Sequence, residues 1–445
     1  MTRMTSSRFS LTALLIASAF FSPASAQAPA GNIPVVTLAE ARRRSVTVDP
    51  NSVAARSRIE AASWERRAAA WNLFTPSLRA TTSYTHFSDP FFNFGTGGVS
   101  PNSASATIDA NYSLLGFGKF GALKSSRASL ASAEAGETVA RFRTALETDA
   151  AYFAVLADRE LVRVTADRLK RAEEQLGIAR VRVSAGESLS SDSLQLLLEV
   201  SRARLAVLSR DSALVASRLR LGRRIGLDGP AEAAPVDTLL PPQLPFTQEQ
   251  AIAEMRRRGP DVEAARAEER SANAIVGAER ERYLPEVSIG GTVGRYDTEL
   301  FPSALKRNQY TISVGIPLWN GGTRELAIAR ARATRDVASA TRSDLERGTA
   351  EVMAQAYHGY LTSRGGIDLA LIGVAAATEN YRVQGARYRE GATTILDLLQ
   401  AQVGLSEAQA ALIQARYSSR LALAQIEALL GRRIFEASNT NPNVR

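Results

Sequence analysis

The distribution of proline constrains this chain more than any other feature of its sequence. The chain has 17 prolines in 445 residues, yet none lies between Pro101 and Pro230 or between Pro317 and Pro442. A proline inside a helix removes a backbone hydrogen bond and costs about 3 kcal/mol. Both windows are rich in Ala, Leu, Arg, Glu and Gln, which favour helix. The sequence therefore predicts two very long, nearly uninterrupted helical regions.

An internal repeat divides these regions between two similar halves. Gly391 repeats Gly186 at a displacement of 205 positions, and Asp397 repeats Asp192 at the same displacement. Such a period is too long for a solenoid, so it indicates one duplicated unit. The expected organisation is a signal peptide at 1–26, a first repeat at 27–228, a Pro-rich equatorial linker at 229–246, a second repeat at 247–436 and a flexible C-terminal tail at 437–445.

The N-terminus has the features of a secretory signal peptide. Arg3 and Arg8 precede an apolar run from Phe9 to Phe21, and small residues lead to Ala26. This run is too short to cross a bilayer as a helix, and the sequence has no later run of about 20 apolar residues. We therefore expect a secreted chain without a helical membrane span. The sequence contains no cysteine, which excludes disulfides, thiolate metal ligands and lipidation of an N-terminal cysteine.

Each half is expected to contain a helix followed by a β-hairpin. The helices, at about 51–74 and 261–284, end before a proline. The hairpins, at 77–115 and 286–318, alternate in polarity; Tyr310, Ile312 and Val314, for example, alternate with small polar residues. Strands of about ten residues with aromatic residues near their ends are typical of transmembrane barrels. Two soluble hairpins on a small sheet are the alternative, which the secretory signal and the lack of cysteine disfavour.

After each hairpin comes a long helix that turns back on itself. The segment 326–390 spans about 65 residues, or on the order of 100 Å at about 1.5 Å per residue. Beyond it, leucine recurs at heptad spacing at Leu398, Leu405 and Leu412. The first half has the same spacing at Val200, Val207, Leu214 and Leu221. We therefore expect helix pairs that pack side by side and turn near 186 and near 391.

Four strands cannot close a barrel, and lipid does not tolerate open sheet edges. Three copies of the chain would supply 12 strands, an even number in the range of outer-membrane barrels. The predicted fold is therefore mainly α with membrane β. Long antiparallel coiled-coil helices form an α-barrel, and two β-hairpins contribute four strands to a shared, trimeric 12-stranded outer-membrane β-barrel.

The sequence resembles the TolC-like outer membrane efflux protein family over essentially the whole mature chain. One specific segment is 316–322 (IPLWNGG), similar to the family's strand-to-helix junction, for which 114–118 (LLGFG) is a weaker counterpart. The other is 387–391 (RYREG) with 397–401 (DLLQA), similar to the family's periplasmic turn. The residues that match the junction are Pro317, Trp319, Gly321 and Gly322.

This resemblance implies a homotrimer in the cell outer membrane with a periplasmic helical extension. Its partners would be outer-membrane lipid, a periplasmic membrane-fusion adaptor and an inner-membrane pump of the RND or ABC type. Because no nucleotide or metal site is visible in the sequence, the energy for transport would come from the pump. The resemblance implies that the helices turn at the periplasmic tip and that this tip contacts the adaptor. The residues assigned to the tip are Gly186, Gly391, Arg182 and Arg387.

The resemblance also implies a gate just beyond the second turn. Asp397 matches an acidic position that narrows the entrance in family members, and Asp192 is its repeat equivalent. Gln400 stands where some members carry a second acidic residue. Thr394 and Asp397 also have the spacing of a capping box, in which Asp397 stabilises the start of a helix. Helix capping and pore lining are therefore alternative roles for Asp397, and one residue can have both.

Other kinds of chemistry have little support in the sequence. His86 and His358, the only histidines, have no companions at metal-ligand spacing. Gly321 and Gly322 lack the spacing of a phosphate-binding loop. Arginine alternates with acidic residues along helix faces, which is typical of solvated surfaces and not of a nucleic-acid patch. We expect no catalytic activity, no cofactor, no metal and no nucleic-acid partner.

Together these features predict a passive outer-membrane exit duct for a tripartite efflux or type I secretion system, gated at the helical tip. The main alternative is a soluble periplasmic coiled-coil scaffold or adaptor, since heptads occur in any helical bundle. A diffusion porin is disfavoured because more than half of the chain would then be helix without a role. The sequence does not identify the transported substrate.

Overall fold

In a computed structural model of the chain, residues 33–93, 97–186, 189–236, 241–299 and 305–435 are described. Their helices are α1 Leu38–Val48, α2 Pro50–Phe74, α3 Phe117–Ser184, α4 Ser190–Arg224, α5 Gln248–Arg258, α6 Pro260–Glu281, α7 Thr323–Arg389 and α8 Ile395–Leu430. Their strands are β1 Val35–Val36, β2 Ser77–Asn93, β3 Gly98–Gly116, β4 Glu232–Ala233, β5 Glu286–Asp297 and β6 Leu305–Gly315. The predicted signal peptide at 1–26 and tail at 437–445 lie outside the described residues.

Two helices, α3 and α7, run almost the whole length of the helical body. They contain 68 and 67 residues, about 100 Å each at about 1.5 Å per residue, as the proline-free windows predict. The return helices α4 and α8 contain only 35 and 36 residues. Each return helix ends at a left-handed glycine, Gly226 or Gly431. The helices that double back therefore reach only about halfway to the sheet.

Shorter helices pack beside α3 and α7 at two levels. Near the sheet, α2, α3, α6 and α7 lie side by side in that order, and near the opposite end the order is α4, α3, α8 and α7. The predicted heptad positions Val200, Leu221, Leu398 and Leu405 face this packing, since all four are buried. The single chain is thus a layer of helices with two open flanks, one on α2 and α4 and the other on α7. The prediction of a mainly helical fold with long antiparallel helices is confirmed.

The two hairpins combine into one four-stranded antiparallel sheet with the order β2, β3, β5 and β6. Residues that pair across neighbouring strands have their side chains on the same face of the sheet. Ala80, Ile108 and Val293 are paired in this way and lie on an apolar face. Asp109 and Thr292 lie on the opposite, polar face, where the Thr292 hydroxyl donates to Asp109 Oδ1 at 2.7 Å. Neither β2 nor β6 has a second neighbour among the described strands.

The first hairpin is longer than the predicted strands of about ten residues, since β2 and β3 contain 17 and 19 residues. Its outer part pairs only with itself, because β5 pairs with β3 from Ala104 onwards. Pro90 and Pro101 both lie in this outer part. The β2–β3 register shifts between His86 and Phe91, and a missing N–H is tolerated at such an irregularity on an edge strand. The prolines therefore break the sequence alternation but not the hairpin.

A buried core at mid-length of α3 ties the N-terminal segment and the linker to the helices. There β1 and β4 form a parallel pair that the sequence does not predict. The hydroxyl of buried Tyr152 lies 2.7 Å from the backbone oxygen of Ala234 and 3.2 Å from that of Val36. Arg42 of α1 pairs with buried Asp149 of α3 through two contacts of 2.6 and 2.7 Å.

Replacing Tyr152 by Phe should loosen this core without leaving a cavity. The backbone oxygen of Ala234 would lose this donor, at a cost of about 1 kcal/mol. We expect faster amide hydrogen exchange in 33–37 and 231–236 for Tyr152→Phe. Tyr310→Phe, on an exposed strand position, is the matched control. Unchanged exchange in both segments would contradict the role assigned to the Tyr152 hydroxyl.

Candidate channel entrance

The turn between α7 and α8 is built by a glycine and a capping box. Gly391 has φ = +73°, and the amides of Gly391 and Ala392 donate to the backbone oxygens of Tyr388 (3.1 Å) and Arg387 (2.8 Å). This pair of bonds is a Schellman motif, which ends α7 with its last carbonyls satisfied. Thr394 then begins α8 by capping it reciprocally with Asp397.

The carboxylate of Asp397 is exposed, yet one of its oxygens is heavily hydrogen-bonded. Oδ2 accepts bonds from the hydroxyls of Thr394 (2.7 Å) and Thr393 (2.8 Å) and from the Thr394 amide (3.2 Å). These bonds, with a smaller contribution from the Arg387 guanidinium, lower the pKa of Asp397 below its ordinary value of 3.8. Oδ1 accepts no hydrogen bond from the described residues. Capping and pore lining are therefore compatible, and Gln400, one turn further, is exposed as well.

The turn between α3 and α4 shares the glycine but not the capping box. Gly186 has φ = +77°, and its amide donates to the backbone oxygen of Val183 at 3.1 Å. Leu189 occupies the N-cap position of α4 and supplies no side-chain hydrogen bond. Asp192 lies half-buried in the first turn of α4. The two repeats therefore build chemically different turns at the same end of the molecule.

The two arginines predicted at the tip have different contacts. Arg182 of α3 donates to the backbone oxygen of Tyr388 at 3.0 Å, and its guanidinium lies 5.5 Å from the centre of the Tyr388 ring. Arg387, its repeat equivalent, is exposed and donates to Ala392 of its own turn at 3.4 Å. Arg182 therefore joins the two helical hairpins, whereas Arg387 stays within one. Tyr388 is not among the site residues predicted from the sequence.

A buried cluster behind the turns also joins the hairpins. Leu176 and Leu196 of the first hairpin pack in one core with Ile395 and Leu398 of the second. Gln402 is fully buried, and its Nε2 donates to the backbone oxygen of Arg168 at 3.2 Å. The sequence analysis does not predict this contact, although a glutamine between Leu398 and Leu405 in the heptad pattern is a usable signal.

The junction residues lie at the other end of α7: Pro317, Trp319, Gly321 and Gly322. Both glycines are left-handed, with φ of +68° and +78°, a conformation that favours glycine. Buried Arg324 donates to the backbone oxygen of Pro317 at 3.0 Å and thereby fixes the connection between β6 and α7. Trp319 is 75% exposed beside the sheet. The structure thus separates the junction from the tip by the whole of α7.

Two other kinds of site were sought in the described part of the chain. It contains no group of three His, Cys, Asp or Glu side chains able to hold a metal ion. None of its helices combines the length and the apolar character needed to cross a membrane.

The long antiparallel helices, the glycine turns at the tip and the open four-stranded sheet define a class of protein, that of the elongated outer-membrane channels. VceC from Vibrio cholerae has the same fold, with a TM-score of 0.72 at 17% identity over 89% of this chain and 96% of VceC. The CmeC channel of Campylobacter jejuni aligns with a TM-score of 0.75 at 18% identity over 90% of this chain and 87% of CmeC. At these identities the likeness establishes the fold.

The chain belongs to the outer membrane efflux protein family. The sequence model of that family matches residues 48–227 and 251–432, once in each half. The family resemblance predicted from the sequence is confirmed, and so is the location in the outer membrane with helices on the periplasmic side.

Individual relatives are more distant. The toluene efflux pump outer membrane protein TtgC of Pseudomonas putida is 26% identical over 272 residues, which are 60% of this chain and 56% of TtgC. The pyoverdine export outer membrane protein OpmQ of Pseudomonas aeruginosa is 26% identical over 355 residues, 76% of this chain and 71% of OpmQ. The chain thus matches little more than half the length of TtgC.

The capping role of Asp397 predicts a pH dependence of the second turn. Because the pKa of Asp397 is lower in the folded turn than its ordinary value of 3.8, its stabilising contribution is complete above that value and is lost as the pH falls through the folded-state pKa. Amide hydrogen exchange across 391–398, corrected for its intrinsic pH dependence, should therefore rise on acidification below pH 3.8. The profile of Asp397→Asn should be flat. Identical profiles for the two proteins would contradict the capping role.

Proposed function

We propose that this chain is the passive outer-membrane exit duct of a tripartite efflux or type I secretion system and that it works as a homotrimer. The observation that carries the proposal is that each unpaired edge of the sheet continues into an uncovered flank of the helical layer. One edge runs from β2 into α2 and α4, and the other runs from β6 into α7. If β6 of one copy paired with β2 of a neighbouring copy, α7 of the first copy would lie against α2 and α4 of the second.

The flank of α4 has the pattern expected of such a contact. Leucine and valine side chains recur along it at helical spacing and are exposed in the single chain: Leu194, Leu198, Leu205, Leu208, Val215 and Leu219. This stripe is distinct from the buried heptad positions that pack on α3. On α7, Leu369 and Ile372 are exposed in the same half of the molecule. Head-to-tail contacts of this kind form a ring, and three copies of four strands make a 12-stranded barrel.

The tip is the proposed gate. Asp397 and Gln400 of α8, with Asp192 of α4, would narrow the entrance of the ring. The Arg182 bond to Tyr388 would hold the two hairpins of each chain together in the closed state. Opening would separate the hairpins about the turns at Gly186 and Gly391.

The proposed partners are a periplasmic membrane-fusion adaptor at the tip and an inner-membrane pump of the RND or ABC type. Arg387 is exposed on the second turn and is better placed for the adaptor than Arg182, which is engaged with Tyr388. The names of TtgC and OpmQ as efflux and export outer-membrane proteins support partnership with a pump. The duct itself would catalyse no reaction, and the pump would supply the energy.

A soluble periplasmic scaffold is not favoured, because it would leave the apolar face and both edges of the sheet in water. Ile312 and Val314 on that face are 75% and 67% exposed. The mature protein should fractionate with outer membranes as a heat-sensitive oligomer and conduct ions in planar bilayers. Recovery as a soluble monomer would contradict the exit-duct proposal.

Replacing Arg182 by Ala should favour the open duct. The variant loses a charged hydrogen bond between the hairpins, so the ratio of open to closed channels in planar bilayers should rise about tenfold, equivalent to about 1.4 kcal/mol. Arg387→Ala makes the same chemical change at the repeat-equivalent position but leaves the bond between the hairpins intact. Equal effects of the two substitutions would argue against a latch at Arg182.

Replacing Asp397 by Ala should weaken the preference of the channel for cations. A ring of carboxylates at a narrow entrance attracts cations, so its removal should lower cation selectivity in planar bilayers or raise conductance. Leu396→Ala, at an exposed neutral neighbour, is the control. Unchanged selectivity and conductance would remove Asp397 from the pore lining and leave it as a helix cap.

A further inference from the structure

We propose that the base of α3 binds the headgroup of an anionic phospholipid on the outer surface of the helical body, directly beneath the sheet. This inference rests on the proposed position of the sheet in the outer membrane. The site is a shallow cavity of about 430 Å³. Its walls include Phe120, Leu123, Lys124 and Arg127 of α3 and Arg270 of α6.

The cavity combines cations without partners and an apolar floor. Lys124, Arg127 and Arg270 are all exposed, and none forms an ion pair or hydrogen bond within the described part of the chain. Some arginines of the same helical body are paired instead, such as Arg266 with Glu346 at 3.0 Å. Phe120 is 58% exposed at the upper end of the cavity. The phosphate of a phospholipid would bind the cations, and its glycerol and first methylene groups would lie against the apolar floor.

Helix geometry places this cavity on the outside of the proposed tube. Phe120, Lys124 and Arg127 follow one another at helical spacing and so share one face of α3. Further along, the same spacing leads to Asp149 and Tyr152, which bind α1 and the linker. These short elements would obstruct the lumen of a three-chain tube if they lay inside it. The face that carries them is therefore the outer face.

The opposite face of α3 has a different character. Ser129, Ala133, Gly136 and Ala140 line a separate cavity together with residues of α2 and α6. Their side chains are small, and the α3 stretch from 128 to 133 contains no charge on that side. The walls of this cavity also include Arg58, Arg143, Asp261 and Glu268, so charges of both signs are mixed there, whereas the cavity at Lys124 has cations alone. The unpaired cations Lys124 and Arg127 therefore lie on the outer face of α3, near the sheet.

The cavity begins at the depth of lipid headgroups and extends below it. Helix α3 begins at Phe117, directly after β3 ends at Gly116. At about 1.5 Å per residue, Phe120, Lys124 and Arg127 lie about 5, 10 and 15 Å from the start of α3. Side chains on a helix tilt toward its N-terminus, which for α3 is the membrane side. Lys124 and Arg127 therefore reach toward the headgroup region, which adds about 5–7 Å to each side of the hydrocarbon core, whereas Arg270 lies about 16 Å from the sheet end of α6 and its side chain tilts away from the sheet.

The test compares lipid binding by three purified full-length proteins. They are the wild type, a triple variant with Lys124→Gln, Arg127→Gln and Arg270→Gln, and a control triple variant with Arg163→Gln, Lys170→Gln and Arg180→Gln. The control removes the same residue types from exposed positions of α3 that are also unpaired but lie far from the sheet. Native mass spectrometry measures the binding of dioleoylphosphatidylglycerol and of dioleoylphosphatidylcholine to each oligomer.

We expect the wild type and the control to prefer phosphatidylglycerol. The cavity variant should bind it at least about tenfold more weakly, since each cation near an anionic lipid contributes about fivefold. If the triple variant does not assemble, the single variants Lys124→Gln and Arg127→Gln should each show about a fivefold loss. Equal binding by the wild type and the cavity variant, an equal loss in the control, or no preference for phosphatidylglycerol in the wild type would overturn the site.

Conductance in phosphatidylcholine bilayers distinguishes failure of the lipid-site proposal from failure of the exit-duct proposal. A wild type that conducts but shows no lipid preference overturns only the lipid site. A wild type that neither forms an oligomer nor conducts contradicts the exit duct itself.

Discussion

Open sheet edges are the constraint on which the rest of this structure depends. A backbone N–H or C=O group left without a partner in lipid costs several kcal/mol, and β2 and β6 each present a row of them. One chain has only four strands in its sheet, so its own hairpins cannot close it. Because α2 is followed by β2 and β6 is followed by α7, a second copy that completed the sheet, as proposed, would also cover the exposed flanks of the helices. In the proposed trimer, the same contact between chains would therefore close both the membrane barrel and the periplasmic tube.

The two repeats build their turns at the tip with different side chains. Both turns use a left-handed glycine, but the helix after the second turn begins with a capping box between Thr394 and Asp397, whereas Leu189 at the start of α4 supplies no side-chain cap. The first hairpin instead contributes Arg182, which holds the second hairpin through Tyr388. The two repeats therefore share the fold of the turn and differ in its side-chain chemistry.

Local patterns made much of the fold predictable, and long-range contacts account for the rest. The proline-free windows predict α3 and α7, and period-two alternation predicts the hairpins. The Gly391, Thr394 and Asp397 turn is equally local, so its capping geometry follows from spacing. The full length of β2 and β3 was missed because Pro90 and Pro101 interrupt the alternation, and β1 and β4 were missed because two-residue strands have no period. The Arg182 bond to Tyr388 joins residues 206 positions apart, and no local pattern encodes it.

The most direct test of the account is whether β2 of one copy lies beside β6 of another in a ring of three. The chain has no cysteine, so Ala80→Cys in β2 and Ile312→Cys in β6 would be the only thiols in a double variant. Within one chain, β3 and β5 separate these strands. Cross-linking with a short bismaleimide in intact outer membranes should give a covalent ladder that ends at three chains. Exclusively monomeric product, or a ladder that continues beyond three chains, would contradict the shared barrel.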